Sequence, residues 1–143
     1  MDDNKKKIAF IINPISGTQG KEHILKWLDE KLDKNRYMPE VIYTEWAGHA
    51  VEIAARKAKE EVFAVVAIGG DGTINEIARS LVHTKTALGI IPCGSGNGLA
   101  RHLQIPMEAK KAIDIINEGL IDIIDYGKIN DVPFFCTCGV GFD

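Results

Sequence analysis

Residues 62–68, VFAVVAI, are all apolar and lead directly into a glycine-rich loop. An unbroken apolar run of this length is typical of a β-strand that is buried on both faces, as the strands of a parallel sheet are. Two more mostly apolar runs of strand length, 6–12 and 87–91, are also followed by glycine-rich loops. The chain is therefore predicted to place these three strands side by side at the centre of its fold.

Segments with the spacing of amphipathic helices separate these runs. Further helices and strands are predicted at 21–32, 39–44, 50–58 and 107–117, and Gly119 ends the last helix. A helical turn is expected at 98–103. The clearest helical face consists of Ile74, Ile77, Ala78, Leu81 and Val82. The predicted buried stripe of the 50–58 helix consists of Ala50, Val51, Ala54, Ala55 and Ala58. This alternation indicates an α/β fold, three-layer α/β/α with a mainly parallel sheet.

The tail departs from this alternation. Segments 120–129 and 132–137 are predicted to be strands joined by a hairpin turn at Asn130-Asp131. The apolar, glycine-rich last residues, CGVGFD, would leave an unpaired edge if the natural chain ended there. We therefore expect residues 1–120 to form the α/β domain, and residues 121–143 to begin a second, β-rich domain that is missing from this chain.

Composition narrows the classes of function. The formal net charge is −3 at pH 7, which argues against a nucleic-acid-binding surface. No apolar stretch approaches the about 20 residues of a membrane-spanning helix. Three cysteines, an odd number, fit a reducing compartment, and the four histidines lack the spacing of metal ligands. We expect a cytoplasmic globular domain that has no nucleic acid as partner.

Three glycine-rich loops, 13–20, 69–73 and 92–98, each follow a predicted strand and precede a helical segment. They are expected to gather at one edge of the sheet, where the carboxyl ends of parallel strands lie. Helix N-termini attract anions, and glycine lets the backbone approach a phosphate closely. The loops together predict a polyanion site, most simply for a nucleotide. The first loop departs from the P-loop motif, because Ile15 and Glu22 stand where that motif has Gly and Ser/Thr, which leaves a broken P-loop, a plain turn or another phosphate loop.

The loop at 69–73 carries the strongest candidate for chemistry. Asp71 lies among three glycines at the end of a buried strand, so its carboxylate is expected in the cleft. Beside a phosphate site, an aspartate either binds Mg²⁺ or accepts the proton of an attacking hydroxyl. Thr73, Asn75 and Glu76 follow at the helix start and can reach a phosphate or a base. The alternative is a plain turn with Thr73 as helix cap.

Five segments carry a resemblance to a known family. GGDGTINE (69–76) is similar to the signature shared by diacylglycerol, sphingosine and NAD kinases and 6-phosphofructokinases. INPISG (12–17), TEWAGHA (44–50), PCGSGNGLAR (92–101) and GVGFD (139–143) resemble, in the same order, motifs of the diacylglycerol kinase catalytic domain. Because the likeness is collinear over nearly the whole chain, the fold is expected to be the N-terminal domain of that family.

The resemblance implies a kinase that transfers the γ-phosphate of ATP to a hydroxyl of a diacylglycerol, sphingoid or ceramide lipid at a membrane surface. It implies ATP and Mg²⁺ at the site, with Asp71 as catalytic base or magnesium ligand. The implied nucleotide-binding residues are Asn13, Pro14, Ile15, Ser16, Gly17, Thr44, Gly70, Asp71, Gly72, Thr73, Ile74, Asn75, Glu76 and Ser95. Position 95 is commonly Thr in diacylglycerol kinases, and Gly-Ser-Gly-Asn is closer to sphingosine and ceramide kinases.

Two other functions stay open. An NAD kinase shares GGDGT, although Asn13-Pro14 and the Gly-Ser-Gly-Asn loop fit it poorly. A nucleotide-binding module without chemistry is the second alternative. If the lipid pocket lies between two domains, this chain is expected to bind ATP weakly and to phosphorylate no lipid. The tail strands also suggest a homodimer. Trp27 and Trp46 are predicted to be packing residues rather than platforms for a base, and His49 to be structural.

Overall fold

A computed structural model describes residues 5–14, 21–92, 109–119, 121–125 and 131–135. The strands in these ranges are β1 (Lys6–Ile12), β2 (Tyr37–Tyr43), β3 (Ala64–Gly69), β4 (Ala87–Pro92), β5 (Ile121–Asp125) and β6 (Asp131–Phe135). The helices are α1 (Lys21–Lys31), α2 (His49–Lys59), α3 (Asp71–Leu81) and α4 (Ala109–Glu118). The predicted helical turn at 98–103 lies outside the described residues.

All six of these strands form one sheet, in the order β2-β1-β3-β4-β6-β5. β2, β1, β3 and β4 are parallel to one another, and β6 is parallel to β4. Only β5, at the edge, is antiparallel, and it pairs with β6. The mainly parallel sheet that the apolar runs predict is therefore confirmed.

The core lies at the middle of this sheet. Every residue of β3 is buried, as is the apolar part of β1 from residue 8 to 12. Gly89 of β4 allows close packing between strands, because a Cβ there would lie 2.9 Å from Val66 Cγ2 and 3.1 Å from the ring of Phe135. A side chain at position 89 would therefore push β4 away from its neighbours.

Helices cover both faces of the sheet. Consecutive residues of a strand point to opposite faces of the sheet, so the neighbours of Ala9 and of Phe10 in β1 show which helices cover each face. Phe10 lines a groove together with Leu25 of α1. Glu40, the register partner of Ala9, bonds to Lys57 of α2. Since α3 packs beside α2 and α4 beside α1, the predicted three-layer α/β/α fold is confirmed.

The buried face of α3 agrees with its prediction, and that of α2 agrees only in part, at Ala50, Ala54 and the partly buried Ala58. In α3, residues 74, 77, 78 and 81 are fully buried. In α2, Val51 is 41% exposed and Ala55 is exposed as well. The buried residues of α2 are Ala50, Ile53, Ala54 and Lys57. The predicted stripe followed the alanines, but the larger side chain of Ile53 decides which face packs on the sheet.

Lys57 is buried because its ammonium group is paired. Its Nζ donates to Glu40 Oε1 at 2.7 Å and to Glu60 Oε1 at 3.3 Å, while its aliphatic stem packs on the sheet. The hydrogen bond to Glu40 is the main reason that the pKa of Lys57 is raised. This pair fastens α2 to the edge strand β2.

Asn117, at the end of α4, joins this helix to the end of α1. Its Oδ1 accepts a hydrogen bond from the N–H of Asp33 at 2.8 Å, and its Nδ2 donates to the carbonyl of Lys31 at 2.8 Å. One amide side chain thus satisfies two backbone groups of the loop that leads into β2. These contacts lie at the edge of the sheet where the parallel strands begin.

The start of β2 adds two more bonds to the same helix. The hydroxyl of Tyr37 donates to the carbonyl of Ile116 at 2.7 Å, and Arg36 Nη1 donates to the carbonyl of Glu118 at 3.2 Å. Burial raises the pKa of Tyr37, and the charge of Arg36 offsets part of this effect. Gly119 ends α4 with a φ of 71°, as its prediction requires. We call this end of the sheet the amino edge.

The predicted turn at Asn130-Asp131 is wrong. Asp131 belongs to β6 and pairs with Asp125 of β5, so residues 126–130 connect the two strands. A dipeptide that favours turns does not fix the length of a hairpin loop, because cross-strand packing sets the register. Both strands extend the sheet of the α/β domain through β4. The second, β-rich domain that is expected to begin at residue 121 stays a prediction.

Candidate functional site

A cleft of about 270 Å³ opens at the edge of the sheet where β1, β2 and β3 end. We call this end the carboxyl edge. Asn13 follows β1 and Thr44 follows β2, while the first turns of α2 and α3 form the walls. The lining residues are Asn13, Thr44, Trp46, Ala47, Gly48, Ala50, Gly70, Gly72, Thr73 and Glu76.

The position of the cleft follows from the strand order. β1 lies between β2 and β3 in the sheet. The next strand, β2, pairs on one side of β1, and β3 then pairs on its other side. α1, which follows β1, and α3, which follows β3, lie on opposite faces of the sheet, so a crevice is left between the ends of these two strands. In open α/β sheets, ligands bind in this crevice at the carboxyl ends of the strands.

The start of α3 supplies backbone donors to the cleft. Gly70 is the N-cap residue, and the N–H of Ile74 makes the first turn's bond to the Gly70 carbonyl at 3.1 Å. The N–H groups of residues 71–73 come before that bond and have no partner within the helix. No side chain of the described residues caps this helix. Together with the helix dipole, these donors favour an anion.

Two glycines at this helix start have free space where a side chain would be. A Cβ on Gly70 or Gly72 would meet no atom of the described residues within 4 Å. The φ of Gly70 is −96°, which any residue adopts, so neither packing nor backbone strain requires glycine there. Gly69 differs, because a Cβ there would touch Thr73 at 3.4 Å. The space beside residues 70 and 72 fits a ligand that comes close to the backbone.

Two threonines bring hydroxyl groups to the cleft. Thr44 is 7% exposed and Thr73 is 8% exposed, so both are largely enclosed by protein. The N–H of Thr44 donates to the Ile12 carbonyl at 2.9 Å and extends the β1–β2 ladder by one bond. Both threonines lie where a strand or helix meets the cleft. Their hydroxyl groups can donate hydrogen bonds to a polar ligand or accept them from it.

The loop between β2 and α2 is held by its own side chains. Gly48 has a φ of 85°, a conformation that favours glycine, and is the N-cap of α2. The Nδ1 of His49 accepts a hydrogen bond from the N–H of Glu45 at 2.9 Å. The ring of His49 stacks on Trp46, with centroids 3.7 Å apart. His49 therefore has the structural role that was predicted for it.

Trp46 is not the packing residue that its prediction describes. It is 51% exposed and lines the cleft. Its Nε1–H donates to Glu52 Oε2 at 3.2 Å, which fixes the indole from a second side. Trp27, by contrast, is partly buried against the core as predicted. Sequence reasoning missed Trp46 as a cleft residue, although its position two residues after Thr44, beyond a strand end, was a usable signal.

The structure brings together six of the predicted nucleotide-binding residues: Asn13, Thr44, Gly70, Gly72, Thr73 and Glu76. Pro14 is exposed beside Asn13, and Asn75 is half-buried in α3. The side chain of Ile74 is buried in the core, so only its backbone can serve the cleft. Ile15, Ser16, Gly17 and Ser95 lie outside the described residues. The backbone of Asp71 begins α3, and its side chain is not among those described.

The described residues contain neither a metal-binding cluster nor a membrane-spanning helix. No three His, Cys, Asp or Glu side chains among them are grouped so as to hold a metal ion. No helix in the described ranges has both the length and the apolar character that a membrane span requires.

Comparison with known proteins gives one consistent result. The pattern of the family "Diacylglycerol kinase catalytic domain" matches residues 7–129. A diacylglycerol kinase of Staphylococcus saprophyticus is 35% identical over 132 residues, which are 91% of this chain and 43% of that protein. A diacylglycerol kinase of Bacillus subtilis is 36% identical over 140 residues, which are 95% of this chain and 46% of that protein. The chain thus spans less than half the length of these relatives.

Solved structures agree with the sequence comparisons. The crystal structure of a diacylglycerol kinase from Bacillus anthracis superposes with a TM-score of 0.73 at 27% identity. The superposition covers 83% of this chain and 42% of that one.

Proposed function

Because the chain belongs to the diacylglycerol kinase catalytic domain family, we propose that it is the nucleotide-binding part of an ATP-dependent lipid kinase. The whole protein would transfer the γ-phosphate of ATP to a hydroxyl group of a diacylglycerol, sphingoid or ceramide lipid. The observation that carries this proposal is the free space beside Gly70 and Gly72 at the N-terminus of α3.

The phosphates of ATP suit that space for two reasons. The absence of side chains at positions 70 and 72 allows a phosphate to approach the backbone, and the first-turn N–H groups of α3 can donate to its oxygens. The hydroxyl of Thr73 lies in the same turn of the helix. Residues 15–17 and Ser95 are proposed to complete this side of the site, on the strength of the family motifs alone.

The remaining polar groups of the cleft suit the ribose and the base. Asn13 and Thr44 carry an amide and a hydroxyl, which can both donate and accept hydrogen bonds. Glu76 carries a carboxylate, which repels phosphates but accepts hydrogen bonds from hydroxyl or amino groups. We therefore place the uncharged parts of the nucleotide near these three residues.

Asp71 is proposed as the acidic group of the reaction. The lipid hydroxyl attacks the γ-phosphorus, a new P–O bond forms, and the bond to the β–γ bridging oxygen breaks. The hydroxyl proton passes either to Asp71 or to a base elsewhere in the whole protein. If Asp71 is not the base, we propose that it helps to hold Mg²⁺. The ion, when bound with the nucleotide, neutralises charge on the β- and γ-phosphates.

The lipid half of the site is proposed to lie outside residues 1–143. We expect this chain alone to bind ATP weakly and to phosphorylate no lipid. The whole protein would work at the cytoplasmic surface of a membrane, because its acceptor is a lipid. A homodimer through the tail strands stays a proposal from sequence.

The test is transfer of labelled γ-phosphate by the whole protein to diacylglycerol, sphingosine, ceramide and NAD in parallel assays. Label in one of the lipids is the expected result and identifies the acceptor class. Label in NAD would replace the proposal by an NAD kinase. ATP binding without transfer to any acceptor would leave a nucleotide-binding module. Lipid phosphorylation by residues 1–143 alone would contradict the proposal that the lipid half lies elsewhere.

A further inference from the structure

Trp46 has a feature that the proposed function does not use. It is a large aromatic side chain, half exposed, in the wall of the cleft. A ligand that covered the exposed part of the indole would remove apolar surface from water, which favours binding. The cleft itself is the nearest place for such a cover.

The indole is held in one orientation before any ligand arrives. The imidazole of His49 covers one of its faces, with ring centroids 3.7 Å apart and an interplanar angle of 16°. Its N–H is already bonded to Glu52 Oε2. The His49 ring is itself fixed by the Glu45 N–H. The N–H edge of the Trp46 indole and one of its two faces already contact protein. A ligand can therefore stack only on the other face.

The charge around Trp46 decides which part of a nucleotide fits there. The carboxylate of Glu52 lies against the indole N–H, and Glu45, a second acidic residue, directly precedes Trp46 in the chain, so this end of the cleft repels phosphates. The backbone donors of α3 attract phosphates to Gly70 and Gly72, which line the same cleft. The uncharged, aromatic end of the nucleotide is left for Trp46.

We propose that the purine base of the bound nucleotide stacks on the free face of Trp46, and that Trp46 is thus a binding determinant of this site. The proposal rests on the proposed function, because it requires a nucleotide in the cleft. A purine has the larger ring system of the two base types and overlaps best with an indole. Stacking on an aromatic side chain gives affinity without dependence on hydrogen-bond readout.

The chain offers a direct optical test, since Trp27 and Trp46 are its two tryptophans. In the Trp27→Phe variant all indole emission comes from Trp46. ATP with Mg²⁺ is expected to quench this emission as it saturates the site. Tripolyphosphate, which has no base, is expected to compete with ATP without quenching. In the Trp46→Phe variant, the emission of Trp27 is expected to stay constant in both titrations.

Calorimetric titrations of residues 1–143 measure how much Trp46 contributes to the affinity for ATP. Trp46→Ala is expected to weaken ATP binding by about 10-fold, and Trp46→Phe, which keeps an aromatic face, by less than about threefold. The affinity for tripolyphosphate is expected to be the same in all three proteins. Because Trp46 is exposed, these variants should keep the melting temperature of the parent, which circular dichroism checks.

The outcomes separate the two proposals. If ATP binds but leaves Trp46 emission unchanged, or binds Trp46→Ala as tightly as the parent, the stacking proposal is wrong and the proposed function stands. If Trp46→Ala loses ATP and tripolyphosphate equally, Trp46 supports the shape of the cleft and not the base, and the proposal is again wrong. If neither ligand binds the parent protein, the nucleotide site and the stacking proposal fail together. Should Trp46→Ala not fold, the emission titration decides alone.

Discussion

The two ends of one sheet are built in opposite ways. At the amino edge, polar groups that come together are bonded to one another: Asn117 to two backbone groups, and Tyr37 to the Ile116 carbonyl. At the carboxyl edge, the start of α3 has no side-chain cap among the described residues, and Gly70 and Gly72 adjoin free space. The first edge holds the elements in register, and the second leaves donors for a ligand. Substitutions at the two edges should therefore separate stability from binding.

The largest expected effect is at Asp71, on the carboxyl edge. In the whole protein, Asp71→Asn should lower the turnover rate by about 100- to 10,000-fold, since it removes the carboxylate that we propose as base or as magnesium ligand. The melting temperature should not fall, because an edge built for binding contributes little to stability. Steady-state phosphate transfer and thermal melts of the same preparation measure the two quantities. A variant that keeps a near-normal rate would exclude both roles for Asp71.

A matched pair of glycine substitutions tests both edges with the same chemical change. Gly72→Ala places a methyl group in the space beside α3, and should weaken ATP binding by about 10-fold. It should leave stability unchanged or raise it by up to about 1 kcal/mol, as alanine favours helix. Gly119→Ala should cost about 1–2 kcal/mol of folding free energy, because its φ is positive.

The same pair has a second readout. ATP affinity of folded Gly119→Ala should equal that of the parent, because the amino edge lies away from the cleft. Urea unfolding gives the free energies and calorimetry the affinities. If Gly72→Ala unfolded more readily than Gly119→Ala, the contrast between the edges would be wrong.

A smaller effect is expected at Asn117. Asn117→Leu leaves the Asp33 N–H and the Lys31 carbonyl without their partner, which should cost about 1–2 kcal/mol. Asn117→Asp keeps the acceptor for the Asp33 N–H but sets a carboxylate oxygen against the Lys31 carbonyl and a negative charge at the C-terminus of α4, so it should lose at least as much. Both variants should bind ATP like the parent. If Asn117→Leu were as stable as the parent, the two hydrogen bonds would contribute nothing to stability.

The smallest effect is a dependence on alkaline pH at the amino edge. Burial raises the pKa of Tyr37 above the value of 10.0 for a free tyrosine. Above pH 10 the unfolded chain therefore loses this proton first, and the folded state loses stability as pH rises through the folded pKa. The parent should lose more stability between pH 9 and pH 11 than Tyr37→Phe does. Lys57, whose pKa is also raised, acts in both proteins and cancels in the comparison.

The carboxyl edge was largely predictable from sequence and the amino edge was not. Apolar runs and glycine-rich loops are local signals, so they located β1, β3, the face of α3 and six residues of the cleft. The bonds of Asn117 and Tyr37 join positions far apart in the chain, and nothing near either residue indicates its partner. The buried face of α2 was predicted only in part, because the stripe followed the alanines and left out Ile53, and because Lys57 is paired with Glu40 of another element. Trp46 was misread because its apolar character is shared by core and ligand-facing residues.

The position of β1 between β2 and β3 has a consequence for how the molecule is made. The ribosome releases β1 before both of its partners, because β2 and β3 follow it in the chain. Until β3 has emerged, one edge of the apolar strand β1 has no strand to pair with. Chaperone contact and misassembly are therefore expected to concentrate in this interval of synthesis.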